Sequence, residues 1–346
     1  MGRLFLPSFP PGLVSAVIGA IMVFVAGSAG ATTLDEVKAN GVVKCGVNGS
    51  LPGFSAVDAG GNWTGFDVDY CRAVAAAIFG DPAALEFVPL TAAERLTALQ
   101  NGDIDLLARN TTWTMARDTA LGLTFAGINY FDGQGFMVRK SLGIASNLEL
   151  SGAAVCVRSG TTTELNLAAF FESNNMNYNP VVLNTVEEVN AAYDSGRCNV
   201  YSSDAASLYA IRLTLTDPAD HVVLPQIISK EPLGPVVRQG DDQWFNIVKW
   251  VHFALLNAEE LGVSKSNVDA LMTTENQDIR RLLGLDGAFG EGIGLDNAWA
   301  ANAIRAVGNY GEIFDRTVGT RSNLGIARGL NALWINGGLQ FAPPIQ

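Results

Sequence analysis

From Thr32 onward the chain alternates short, nearly continuous apolar runs with longer segments whose apolar residues recur at helical spacing. The first round reads as a helix over "LDEVKAN", capped by Thr33 and stopped at Gly41, followed by the strand "VVKCGV". An Ala-rich helix, "GFDVDYCRAVAAAIFG", ends at Gly80. The strand "LEFVPL", the helix "AAERLTALQNG" and the strand "DIDLLA" complete the round. Apolar runs of this kind are buried on both faces, so the pattern predicts a parallel α/β sheet.

After "FAGINYFDGQGFMVRK" the alternation restarts. Strands are predicted at "AAVCV", "PVVL" and "CNVYSS", and helices at "TELNLAAFFES", "EEVNAAYDSG" and "AASLYAIRL". Two α/β units therefore stand in series. "GPVVR" then forms a strand, followed by a helix with Trp244, Ile247, Val248, Val251 and Leu255 on one face. That face is expected to pack back on the first unit, so the chain crosses between units near residues 130 and 230. From about residue 264 the tail is rich in Gly and Asn, with amphipathic helices expected at "AWAANAIRAVGNYGEIFDR" and "IARGLNALWINGG" as an extra layer on the first unit. The stretch "GEGIG" follows no strand and opens no helix, which makes it a poor nucleotide fingerprint.

The amino terminus has a different pattern. Arg3 precedes an apolar run from Leu13 to Ala26, and small residues follow, with Ala29 and Ala31 placed for cleavage. That is the order of a secretory signal peptide over residues 1–31, a retained anchor being the alternative, although the run is short for a span of about 20 residues. Cleavage after Ala31 takes the formal charge from −12 to −13. An acidic chain without a basic block is a poor partner for nucleic acid. It is expected to be exported and monomeric. The four cysteines have no C-x-x-C spacing and only two histidines accompany them, which disfavours a metal or redox centre. Export makes disulfides the natural state. One pair per unit suggests Cys45 with Cys71 and Cys156 with Cys198, buried thiols being the alternative.

Ligands of open α/β sheets bind beyond the carboxyl ends of strands, so the residues that follow each strand carry the candidate chemistry. "ARNTTWTMARD" leaves the strand "DIDLLA" and offers a guanidinium, Arg117, able to hold a carboxylate bidentately. Thr112 adds a hydroxyl, and Asn110 an amide and its backbone groups. Arg109 is expected to form a surface ion pair with Asp103, Asp105 or Asp118. Trp113 is either pocket wall or core packing. In "CVRSGTTTEL", Thr161 and Glu164 form a capping box that opens a helix, and the backbone N–H groups from Thr161 to Thr163 suit an anion. Asp204 ends "CNVYSSD", either as a helix cap or as a carboxylate for an ammonium. Asn48 follows the first strand and is a ligand contact or a turn brace. A guanidinium and a helix terminus in opposite units suit a carboxylate, and Asp204 suits a cation beside it. A zwitterion such as an α-amino acid needs both, because a buried unpaired charge is costly. No G-x-S-x-G elbow, P-loop or H-E-x-x-H is present, His221 and His252 read as structural, and no cofactor is implied.

The stretches "GVVKCGVNGSLPGFS", "GNWTGFDVDYCRAVAAAIFG", "RLTALQNGDIDLLARNTTWTMARD", "SGTTTEL" and "ISKEPLGPVVRQGDDQW" resemble the polar-amino-acid family of periplasmic solute-binding proteins of ABC transporters, nearest to its members that bind L-amino acids generally. The resemblance runs from about residue 34 to the carboxyl terminus. It implies two α/β lobes joined by a two-strand hinge, with ligand in the cleft: residues 34–132 plus 232–346 in one lobe and 133–231 in the other. It also implies an ABC permease as partner. By motif position, Arg117 and the Thr162 N–H would grip an α-carboxylate. Asp204, the Thr112 hydroxyl and the Asn110 carbonyl would hold the α-ammonium. Asn48 falls where many members have Asp, and Ala92 where some have a stacking aromatic. Those departures fit a pocket that grips the variable end loosely and accepts many L-amino acids. A secreted enzyme on the same fold, similar to cyclohexadienyl dehydratases, is the alternative.

Overall fold

The computed structural model describes Met1, Gly2 and residues 31–346, so the expected signal peptide lies outside the described residues except for its ends. Among the described residues no helix is long and apolar enough to cross a membrane.

Two five-stranded sheets carry the architecture. The first orders its strands Leu85–Pro89, Val43–Val47, Leu106–Leu107, Val236–Arg238 and Leu123–Phe125. The second runs Asn179–Leu183, Ala154–Arg158, Val200–Asp204, Gln134–Arg139 and His221–Val223. Each was expected to be parallel, and each is mixed. In the first, Val236–Arg238 is antiparallel to both neighbours, and in the second Gln134–Arg139 is. Both are the strands by which the chain arrives from the other sheet, and it arrives running against the strands already there.

The two crossings pair with each other. Tyr130–Asp132 and Glu231–Leu233 form a two-stranded antiparallel ribbon, with Glu231 opposite Asp132. This ribbon is the hinge of a two-lobed α/β fold. "ARNTTW" lies along it: Thr112 bridges Leu233, and the Trp113 N–H donates to the Pro232 carbonyl at 2.8 Å.

The first helix, Thr33–Asn40, is capped one residue earlier than expected, by a Thr32–Asp35 capping box. Gly65 starts the helix Phe66–Phe79 at φ 132°, and a Cβ there would collide with the Phe54 carbonyl, so only glycine closes this corner. The helix Asp242–Glu260 packs back on the first unit as predicted, its Trp244 Nε1 donating to the Asp105 carbonyl at 2.8 Å. The tail adds the helices Trp299–Val307, packed on Phe66–Phe79, and Tyr310–Thr317, packed on Asp242–Glu260. The helix expected over "IARGLNALWINGG" is absent. Two isolated turns, Gly329–Asn331 and Trp334–Asn336, stand there, because Asn331 spends its amide on the hinge strand, accepting from the Phe131 N–H at 2.7 Å and donating to its carbonyl at 3.0 Å.

Both cysteine pairs are joined, Cys45 to Cys71 and Cys156 to Cys198. They close loops of 26 and 42 residues. Chain entropy then predicts that paired Cys→Ala replacement lowers unfolding free energy by about 3.5 kcal/mol for the shorter loop and about 4 kcal/mol for the longer. Urea denaturation of the two double variants measures this; a loss under 1 kcal/mol for both would contradict it.

Candidate functional site

The hinge and the strand ends of the two sheets enclose one polar cluster. Thr114 caps the short helix Met115–Ala120 through the Arg117 N–H, which sets the Arg117 side chain back toward the hinge. Its Nη1 donates to the Thr112 carbonyl at 2.8 Å, and the residue is 9 % exposed. One of five guanidinium donors is thereby used and the arginine is locked in place. Burial lowers its pKa, while Glu231 and Asp204 act in the opposite sense.

Across the cleft, Thr161 caps the helix Thr162–Ser173, its hydroxyl accepting from the Glu164 N–H at 3.2 Å and donating to the Arg158 carbonyl at 2.6 Å. Glu164 bonds the Gly160 N–H instead of the Thr161 N–H, so the capping box is shifted by a residue. The Thr161 hydroxyl is thus consumed in structure. The Thr162 hydroxyl faces the cleft, 3.3 Å from that of Thr112.

Asp204 ends the strand Val200–Asp204 and is 8 % exposed. It does not cap the following helix with its side chain. Asp132 of the hinge does so, accepting from the Ala206 N–H at 3.2 Å and from Gly133 at 2.8 Å. That substitution leaves the Asp204 carboxylate without a hydrogen-bond or ion-pair partner among the described residues. Burial, then the charge of Glu231, push its pKa up to about 7, against the pull of Arg158, Arg95 and Arg117. Asp132 is raised too, first by burial and then by Asp204.

Of the remaining expected contacts, Trp113 lies elsewhere. Trp113 stacks on Phe125 at 5.3 Å and packs with the first sheet, so it is core packing. Asn110 adopts φ 45°, its carbonyl accepts from Arg95 Nη1 at 3.3 Å, and neither atom of its side-chain amide has a partner. Asn48 does not brace its turn with its amide; its backbone N–H bonds Ser55 Oγ at 3.0 Å, and its buried Nδ2 has no partner.

Arg109 overturns the expected surface ion pair. It is 2 % exposed, and Asp105 accepts from the Lys44 N–H instead. Arg109 Nε donates to the Leu90 carbonyl at 2.8 Å, and Nη1 has no partner. His221 and His252 are both buried: His221 Nδ1 bonds Tyr193 Oη at 3.0 Å, and burial pushes the His252 pKa down to about 4.

Sequence reasoning missed Glu231, Arg95 and Arg158. Glu231 is 1 % exposed and its carboxylate takes hydroxyls from Thr112 at 2.7 Å, Thr162 at 2.8 Å and Ser229 at 2.5 Å, and the Asn166 amide at 2.9 Å. A charged residue inside the hinge segment "ISKEPLG" was the available signal. The arrangement can hold a molecule that carries both a carboxylate and an ammonium: the Arg117 guanidinium keeps unused donors on one side, and an unpartnered carboxylate, Asp204, lies on the other.

Residues 43–267 match the model of the bacterial extracellular solute-binding proteins, family 3. The chain is 61 % identical to the general L-amino acid-binding periplasmic protein AapJ of Rhizobium johnstonii, over 96 % of this chain and 99 % of that one. It is 54 % identical to the glutamate/glutamine/aspartate/asparagine-binding protein BztA of Rhodobacter capsulatus, over 94 % and 97 %. Among solved structures, a periplasmic binding protein of an ABC transporter from Brucella ovis, with glutathione bound, superposes with a TM-score of 0.90 at 58 % identity, covering 91 % of this chain and all of that one. The chain belongs to the bacterial extracellular solute-binding proteins of family 3.

Proposed function

We propose that this protein is the substrate-binding component of an amino-acid ABC uptake system, which captures L-amino acids of several kinds by closure of two lobes and hands them to a membrane permease. The lobes are residues 34–132 with 232–346, and 133–231. The segment 1–31 directs export to the periplasm and is removed. The observation that carries the reading is Asp204: a buried carboxylate, relieved of capping by Asp132, that faces the same cleft as Arg117. A buried charge without a partner is costly and is explained by a ligand cation.

Arg117, with the Thr162 N–H, takes the α-carboxylate; Asp204, with Thr112 and the Asn110 carbonyl, takes the α-ammonium. Thr112 and Thr162 come from opposite sides of the cleft and share the Glu231 carboxylate, so the same contacts tie ligand capture to closure at the hinge. Tight reading of the invariant end, with Asn48 and Ala92 leaving the variable end loosely gripped, gives breadth. The names of the relatives, one general for L-amino acids and one for four acidic and amide amino acids, support that breadth. The glutathione in the Brucella ovis structure supports a cleft able to admit more than a single amino acid. Calorimetric titration of ligand-stripped protein with alanine, leucine, glutamine, glutamate and arginine tests the reading. Saturable one-to-one binding of several of them is expected; binding of none would overturn it.

A further inference from the structure

The tail meets the hinge at a strand position that its partner strand leaves open. In the ribbon, Phe131 stands opposite Pro232, which has no N–H to offer, and both backbone groups of Phe131 go instead to the side chain of Asn331. A primary amide carries the same donor and acceptor as a peptide group, so Asn331 supplies one rung of a third strand. The residue is 4 % exposed, and its own carbonyl accepts from Arg328 Nε at 3.1 Å. Arg328 is in turn paired with Glu259 of the helix Asp242–Glu260 at 3.0 Å, which anchors the rung. Asn331 lies outside residues 43–267, the stretch that carries the family match.

The bond to the Phe131 carbonyl reaches further than the hinge. That carbonyl belongs to the peptide group that joins Phe131 to Asp132, and the group is rigid, so fixing its oxygen orients the Asp132 backbone. The Asp132 carboxylate in turn accepts from the Ala206 N–H at 3.2 Å and the Gly133 N–H at 2.8 Å. Ala206 is the second residue of the helix Ala205–Arg212, and its N–H is a donor that the side chain of an N-cap residue ordinarily takes. Asp204 occupies that N-cap position and makes no such bond. Asp132 therefore caps in its place. Were Asp132 to swing away, Asp204 would be the carboxylate placed to accept the vacated N–H.

We infer that Asn331 is a positioning residue for amino-acid capture: by holding the Phe131–Asp132 peptide it keeps the Asp132 carboxylate on the helix terminus and so leaves Asp204 to the ligand's ammonium. The inference rests on the reading of Asp204 as the ammonium site. It brings the tail into ligand capture without a contact to the ligand. The α-ammonium is common to all amino-acid ligands, so loss of Asn331 weakens all of them alike and leaves selectivity among side chains unchanged. Asp204 shares its surroundings with Glu231, Asp132 and Tyr130 of the hinge and with Arg95, Arg109, Arg117 and Arg158, all of which an Asn331 variant retains. A backbone N–H gained by Asp204 favours its ionised form, so the fall in affinity on acidification moves to lower pH.

Calorimetry with L-alanine and L-glutamate from pH 5 to pH 8 tests this on Asn331→Ala, Asp132→Ala, the double variant and Gln340→Ala. Asn331→Ala is expected to raise both Kd values at pH 8 by the same factor, about fivefold or more, the worth of one hydrogen bond, and to move the pH profile down. Asp132→Ala shows both changes, and adding Asn331→Ala to it raises Kd no further, because one residue acts through the other. Gln340→Ala removes donors to the Ile128 and Asn129 carbonyls but none to the Asp132 peptide, and its Kd stays within twofold. Thermal melts separate binding from folding. Equal losses of affinity in Asn331→Ala and Gln340→Ala, an unmoved pH profile, or additive losses in the double variant would overturn the inference. Wild-type affinity in Asp132→Ala would overturn it even where Asn331→Ala does not fold. Asp204→Asn binding as tightly as the wild type would instead overturn the ammonium reading.

Discussion

Arg117→Ala is expected to raise the Kd of every L-amino-acid ligand by at least 100-fold. Two charge-assisted hydrogen bonds from a guanidinium to a carboxylate contribute roughly 1.5–3 kcal/mol each, so losing both costs about 3–6 kcal/mol, or ~150- to 20,000-fold in Kd. The loss falls on all ligands alike because the α-carboxylate is common to them. Arg117→Lys keeps the charge but not the fork and is expected to fall between the two. Calorimetry reads both variants, with thermal melts to show that folding survives. Among the described residues the side-chain hydrogen bond that the change removes is the one to the Thr112 carbonyl at the hinge. An Arg117→Ala protein that bound alanine as tightly as the wild type would contradict the account.

Asp204→Asn is the second large effect, and it carries a pH signature. Without ligand the carboxylate titrates near 7, and an ammonium binds its ionised form. Wild-type affinity should therefore fall as pH drops below about 7 and level off above it, up to tenfold per unit. Asp204→Asn is expected to lose about 100-fold in affinity at pH 8, by removal of a buried charge partner worth at least 2 kcal/mol, and to lose most of that pH slope.

The folded state responds in the opposite direction. A carboxyl whose pKa is raised on folding contributes stability that is complete below its unfolded value near 4 and is lost as pH rises toward 7. The ligand-free wild type should thus lose melting temperature relative to Asp204→Asn across that window. Asp67, also raised by burial, remains in both proteins, and because Asp204 raises Asp132 as well, the difference between the two curves reads the Asp204–Asp132 pair. Parallel curves would exclude a raised Asp204.

Much of this was legible in the sequence. Short apolar runs between amphipathic segments located the strands and helices of both units, and their restart after residue 140 marked the second sheet. Arg117 stood out as a cation just past a strand end, where α/β sheets place ligands. Asp204 was legible as chemistry but not as a role. Choosing between cap and ligand required finding Asp132 on a hinge strand 72 residues earlier in the chain, already bonded to the helix terminus that Asp204 would have capped.

Arg109, Arg158 and Glu231 were not legible for a related reason. Local sequence offered Arg109 three acidic neighbours, but its bonded partner is the Leu90 carbonyl, which the fold brings beside it from 19 residues earlier in the chain. Glu231 draws its partners from Thr112, Thr162 and Asn166, on both sides of the cleft, and no local periodicity encodes such a meeting. The direction of the arriving strands failed in the same way: apolar runs report burial, while parallel or antiparallel pairing depends on how the chain crosses the hinge. The unformed tail helix shows propensity yielding to tertiary contact, since Asn331 bonds the Phe131 backbone twice instead of extending a helix.

The central claim is that the cleft reads both charges of an α-amino acid at once. Titration of ligand-stripped wild type with L-alanine, with ethylamine, which lacks the carboxylate, and with propionate, which lacks the ammonium, tests it most directly. Saturable binding of L-alanine alone is the predicted result, and propionate or ethylamine binding as tightly as L-alanine would contradict it.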